Sequence, residues 1–97
     1  MSSQPEYNQW DEIIALIKQS VDQEQHELLL TLLMTPDERE VMQTRVNIVC
    51  ELLKGDLSQR QISQMLGVGV ATITRGSTEL KSKTEQQKAI IEKLVLN

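Results

Sequence analysis

Between Leu57 and Thr78 the chain contains no aspartate or glutamate, while Arg60 and Arg75 are present. The whole protein is acidic, with a net charge of −4. An acid-free window carrying guanidiniums in such a chain is the pattern of a surface that meets phosphate. Ala71, Thr72 and Thr74 fit the same chemistry. Small side chains let a helix sit deep in a major groove, threonine hydroxyls can bond base edges, and an alanine methyl can touch a thymine methyl. An ordinary helix pair packed in a core, without nucleic acid, is the alternative.

A second set of residues centres on two arginines. Arg45 has Val41, Met42, Ile48 and Val49 as its neighbours at i±3 and i±4, so no acid on its own helix can pair with it at that spacing. Burying an unpaired cation costs about several kcal/mol, so Arg45 must be paired or line a cavity. Arg75 is followed by Gly76, which removes a side chain and leaves room beside the backbone. Thr35 offers a hydroxyl. Two guanidiniums, a hydroxyl and a gap can hold a small carboxylate ligand, with the planar cations stacking on a ring. Two plainer arrangements stay open. Arg45 can snorkel to the surface or meet an acid from elsewhere, and Arg75 can pair with Glu79 at i+4.

Enzyme chemistry finds no support. His26 is the only histidine and reads as a helix-start residue, and Cys50 has no histidine near it in sequence. Neither metal-ligand spacing nor a phosphate loop occurs. No cofactor is expected beyond a small ligand. The single cysteine rules out an internal disulfide and suits a reducing cytoplasm. Neither a signal sequence nor a membrane span is expected.

The elements that must place these groups are helices. Ser58 caps one, with Gln61 completing a capping box, and Ile62, Met65 and Leu66 form its apolar stripe. Gly67-Val68-Gly69 breaks it, as the turn of a helix-turn-helix requires. A second helix starts near Val70 and continues to about Ser82, with Ile73 and Leu80 inward. Upstream, a helix from about Tyr7 to Val21 carries Trp10, Ile13, Ile14, Ile17 and Val21 as its stripe, Trp10 being read as a packing residue. A short helix, about His26 to Leu33, is apolar nearly all round and must be enclosed. Thr35-Pro36-Asp37-Glu38 opens a long helix that ends at Lys54-Gly55. Its apolar arc is broader than one neighbour needs, and Cys50 at the edge of that arc reads as a buried, inert thiol. Thr84 to Gln87 is another capping box, opening a last helix with Ile90, Ile91, Leu94 and Val95 on its apolar face.

No strand pattern appears, so the fold class is all-α: six helices with a helix-turn-helix at about 59–82. Residues 1–6 read as a mobile arm and 7–97 as a single domain. Hydrophobic residues are 39% but aromatics only 2%, so the core must be built from Leu, Ile, Val and Met. The enclosed short helix and the broad arc imply a second copy of the chain. Charge is unevenly spread: three Lys/Arg against ten acids over residues 1–53, and seven against four over residues 54–97. A negative body behind a positive face would orient the protein on a duplex.

Four segments carry a resemblance over the whole length: MTPDERE from Met34 to Glu40, TRVNIV from Thr44 to Val49, LSQRQ from Leu57 to Gln61, and LGVGVATITRGS from Leu66 to Ser77. In these the chain resembles the tryptophan repressor family. The resemblance implies an intertwined homodimer with L-tryptophan as corepressor and operator DNA as partner. By position, Arg45 and Arg75 would sandwich the indole, Arg75 and Thr35 would hold the carboxylate, and Gly76 would leave space for the ring. Backbone carbonyls of Leu32 and Met34, from the other chain, would receive the ammonium. On the DNA side Arg60 would read a base directly. Gly69, Val70, Ala71 and Thr72 would approach bases largely through water, and Gln59, Thr74, Ser77 and Lys81 would contact phosphates or water. A helix-turn-helix protein of the same fold with another effector, or none, is the second reading.

Three positions depart from the family pattern. Glu79 stands where a serine near the ligand ammonium is expected; it could bind that ammonium or divert Arg75. Ser63 and Asn47 stand in place of basic residues, which implies a shallower salt dependence of DNA affinity, by about one unit of log–log slope per lost phosphate contact.

Overall fold

The computed structural model describes residues 3–96, and six helices with no strand are formed among them. In chain order they are α1 (Trp10–Asp22), α2 (His26–Leu33), α3 (Pro36–Lys54), α4 (Gln59–Leu66), α5 (Val70–Lys81) and α6 (Glu85–Val95). The chain divides into two units, the first ending at Arg39 and the second running from Glu40. Of the expected arm, Met1 and Ser2 lie outside the described residues; Ser3–Glu6 is exposed and non-helical.

In the first unit α1 begins three residues later than its apolar spacing suggests. The Glu12 carboxylate accepts from the backbone N–H of both Asn8 and Gln9, each at 2.9 Å, which fixes the helix start at Trp10. The turn into α2 is closed by Glu24 at φ 57°, a left-handed conformation unusual for a residue with a Cβ. Gln25 N–H then reaches the Ser20 carbonyl at 2.7 Å. Contrary to expectation, Trp10 does not pack within the chain; it is 72% exposed. No residue of α2 is buried, and Leu28 and Leu32 are 68% and 79% exposed. The enclosure that α2 needs is therefore not supplied by this chain alone.

The second unit is held by three isoleucines: Ile48 of α3, Ile62 of α4 and Ile73 of α5, with Leu52, Leu57, Leu66 and Val68 packed around them. Each helix places one branched side chain at a common point, which anchors the helix-turn-helix to the second half of α3. Truncating Ile62 or Ile73 to alanine should cost about 2–5 kcal/mol. Met65 corrects the expected stripe of α4: it is about half exposed, on the flank of the Ile62–Leu66 seam. The α4–α5 turn is built from Gly67, at φ 69°, where an L side chain is disfavoured. Gly67 and Val68 N–H both reach the Ser63 carbonyl, and the Ser63 hydroxyl donates to the Val68 carbonyl. The Ser58 and Thr84 capping boxes form as expected. Cys50, half-buried, sets its Sγ 3.7 Å from the Val95 carbonyl of α6.

Candidate functional site

Helix α5 has two working faces. Thr72, Arg75, Gly76, Glu79 and Leu80 recur at three- and four-residue intervals, so they share one face. That face lines a cavity of about 410 Å³. From α3 come Arg45, Ile48 and Val49; Lys83 enters just past α5 and Ile91 from α6. The volume suits a small organic ligand. Ile48, Val49, Leu80 and Ile91 give it apolar walls, while Arg45, Arg75, Lys83 and Glu79 bring three cations and one carboxylate.

The two arginines singled out from sequence thus line one cavity. Arg45 is exposed rather than trapped in the apolar arc, so its charge keeps access to water. The i+4 pairing of Arg75 with Glu79 does not form: the ion pairs among the described residues are Lys54–Glu51 and Lys88–Glu85. Gly76, which also lines the cavity, sets a helix contact. A Cβ there would stand 3.1 Å from Ile48 Cγ2 and 3.7 Å from Leu52 Cδ1, so the glycine lets α5 approach α3 closely. Sequence reasoning missed Lys83 and Ile91. No motif marks either; their place follows from the chain path after α5.

Leu32, Met34 and Thr35 belong to the first unit and are described there. The Thr35 hydroxyl accepts from Glu38 N–H at 3.2 Å, and Thr35 N–H donates to Glu38 Oε1 at 2.9 Å. Thr35 holds the Glu38 carboxyl below the usual carboxylate range, first through its backbone N–H and then through its side chain. Leu32 would ordinarily give its carbonyl to the residue four on, but that residue is Pro36, which has no N–H. Met34, the C-cap of α2, is extended, with ψ 133°. Leu32 and Met34 thus lie at the C-terminal end of α2, where the helix dipole favours positive charge.

The other face of α5 is the nucleic-acid candidate. Its N-cap is Gly69, which has no side chain to cap the helix, so backbone N–H groups at Val70 and Ala71 stay open to an anion. Val70, Ala71, Thr74 and Lys81 are exposed there, as is Arg60 on α4, while Thr72, also exposed, lies on the cavity side. Thr74 and Gln59 are bonded to each other, Thr74 Oγ1 lying 2.8 Å from Gln59 Oε1. Ser77 differs from the rest of its set in being only 7% exposed.

Residues 8–95 match the family described as Trp repressor protein. The chain belongs to the Trp repressor family. Among curated relatives, a Trp operon repressor homolog of Vibrio atlanticus is 64% identical over 99% of this chain and 98% of its own length. One from Vibrio vulnificus is 66% identical, covering 98% and 93% of the two chains, and one from Vibrio parahaemolyticus is 70% identical, covering 91% and 85%. The Trp repressor family is a regulatory, DNA-binding family with a helix-turn-helix fold, and the helices α4 and α5 are that motif here. Within this Trp repressor fold, Ser63 works in the turn through its bond to Val68. No helix among the described residues is long and apolar enough to cross a membrane.

Proposed function

We propose that this chain is an L-tryptophan-dependent transcriptional repressor that works as a homodimer in the cytoplasm and binds operator DNA through α4 and α5. One observation supports the reading: the cavity lies against one face of the twelve-residue helix α5, while Val70, Ala71, Thr74 and Lys81 are exposed away from it and only Thr72 of the base-reading set lines the cavity. A ligand seated against Thr72, Arg75 and Gly76 touches the back of the reader helix and sets its pose.

In the proposed site the apolar walls take the indole, Arg45 and Arg75 stack on its faces, and Arg75 with the Thr35 hydroxyl binds the carboxylate. The carbonyls of Leu32 and Met34, contributed by a second chain, take the ammonium. On DNA, Arg60 reads a base, Gly69 to Thr72 approach bases, and Gln59, Thr74 and Lys81 hold phosphates. Two readers in a dimer must match half-sites about one helical turn, ~34 Å, apart. Free, the readers sample several poses; tryptophan favours the competent one by its higher affinity for it. The fold of residues 7–97 acts as one functional domain in this scheme.

The test selects duplexes from a randomised pool with the tryptophan-loaded protein, then titrates the selected DNA with and without L-tryptophan. Tighter binding with tryptophan is expected; equal affinities remove the gating. Calorimetry with a panel of amino acids separates tryptophan from another effector.

A further inference from the structure

The last carbonyls of a helix have no partner within it and must be met from outside. At the end of α2 one of them is met by a side chain: Arg39 Nη1, in the first turn of α3, donates to the Thr31 carbonyl at 3.4 Å. Thr35 N–H, the backbone donor four residues on from Thr31, is bonded to Glu38 Oε1 at 2.9 Å instead. A cation suits that place, because the C-terminal end of a helix is negative. Arg39 is half-buried and forms no ion pair, although Asp37, Glu38 and Glu40 flank it in sequence; the ion pairs among the described residues are Lys54–Glu51 and Lys88–Glu85. Glu38 and Arg39 thus brace one corner together. Leu32, Met34 and Thr35, the residues proposed to meet the charged head of the ligand, all lie within the stretch that the Thr31–Arg39 bond closes.

We infer that Arg39 is a positioning residue for the ligand site: by fastening the end of α2 to the start of α3 it holds Leu32, Met34 and Thr35 in the pose that receives a ligand's ammonium and carboxylate. The inference rests on the proposed tryptophan site and deepens it. Arg39 touches no ligand in this scheme; it acts through the backbone it fastens. Binding groups gain affinity when their geometry is set before the ligand arrives, since less order has then to be imposed on binding. The corner as a whole still favours an ammonium, because residues 35–40 carry one cation against three acids.

The test compares L-tryptophan with indole, which has the ring but neither charged group, by equilibrium dialysis on the intact protein. In Arg39→Ala tryptophan should bind roughly 3- to 10-fold more weakly, the span of one exposed hydrogen bond, while indole changes by less than about 2-fold. Arg39→Lys keeps a cationic donor on a long stem, so its tryptophan-to-indole ratio should return to within about 2-fold of wild type. Damage to the cavity as a whole would weaken both ligands alike and would not be rescued by lysine. Arg39→Met, which keeps an unbranched stem and removes every donor, should reproduce the alanine result and serves in its place if the alanine variant is unstable. A ratio that stays at the wild-type value in both the alanine and methionine variants, or falls as far in Arg39→Lys, overturns the inference and leaves the tryptophan site standing. A wild type that binds no tryptophan overturns both.

Discussion

A Cβ built on Gly76 would stand 3.1 Å from Ile48 Cγ2, tighter than ordinary van der Waals contact. The reader helix therefore rests on α3 through a missing side chain, and the same glycine lines the cavity. Gly76→Ala should show two opposed effects. Alanine favours the helix by about 1 kcal/mol over glycine. Crowding Ile48, a core residue that is 2% exposed, opposes this by about 1–3 kcal/mol. A net loss of no more than ~2 kcal/mol in a denaturant titration is expected, together with weaker tryptophan binding. Gly76→Leu should lose ligand response and also melt several degrees lower. An unchanged melting temperature for the leucine variant would show that α5 does not lean on Ile48.

The bond between Thr74 and Gln59, 2.8 Å long, ties the start of α4 to the outer face of α5. Thr74 has one hydroxyl proton, shared between Gln59 Oε1 and the Val70 carbonyl at 3.1 Å. With its oxygen occupied by that bond, Gln59 has its amide donors for the phosphate contact proposed above. Thr74→Val and Gln59→Ala should each weaken DNA binding, and the double variant should be weakened by less than their sum. A coupling of about 0.5–1.5 kcal/mol in a double-mutant cycle is expected. Strict additivity would mean that the two side chains contact DNA independently.

Glu38 is held below its ordinary titration range by Thr35, first through the backbone N–H and then through the side chain. A carboxylate with a depressed folded pKa adds stability at pH above its unfolded value, and that contribution disappears as pH falls through the folded one. The Thr35 amide resonance should therefore titrate below the usual carboxylate range, reporting loss of the cap that holds the Thr35 hydroxyl. In Glu38→Gln the acid step should vanish, because glutamine still accepts the bond but does not titrate. A Thr35 amide that follows an ordinary glutamate midpoint would contradict the cap.

Most of the helices were legible because their ends are written in side chains: Ser58 with Gln61, Thr84 with Gln87, Thr35 with Pro36. The start of α1 was missed because its box is closed by Glu12 on backbone N–H groups alone, with no Ser, Thr or Asp at the cap. The α1–α2 turn hides a left-handed residue behind a glutamate, Glu24, where glycine would have marked it. In the cavity, Arg45 was legible as a cation lacking partners at helical spacing, and Arg75 by the glycine that follows it. Lys83 was not, since its place depends on how the chain leaves α5. The burial of Ser77 was not legible either, since the family motif names the residue but not how far its helical face is covered.

The exposed apolar surface supports a last expectation. Among the described residues, Leu28, Leu32 and Leu94 are 68%, 79% and 77% exposed, against a buried hydrophobic core of three isoleucines. If the protein worked as a monomer, replacing Leu28 or Leu94 by glutamate would change stability by no more than about 0.5 kcal/mol, as surface substitutions do. If a second copy covers these residues, each substitution buries a charge in the interface, and the cost rises to about several kcal/mol. Leu28→Glu and Leu94→Glu should therefore sediment as smaller species than wild type. The wild-type melting temperature should rise with protein concentration, as it does when folding and assembly are linked. Met65→Gln, altering a half-exposed residue of α4 outside the proposed interface, should leave the sedimentation unchanged. A wild type that sediments as a monomer, or glutamate variants that assemble as the wild type does, would remove the homodimer from the proposal.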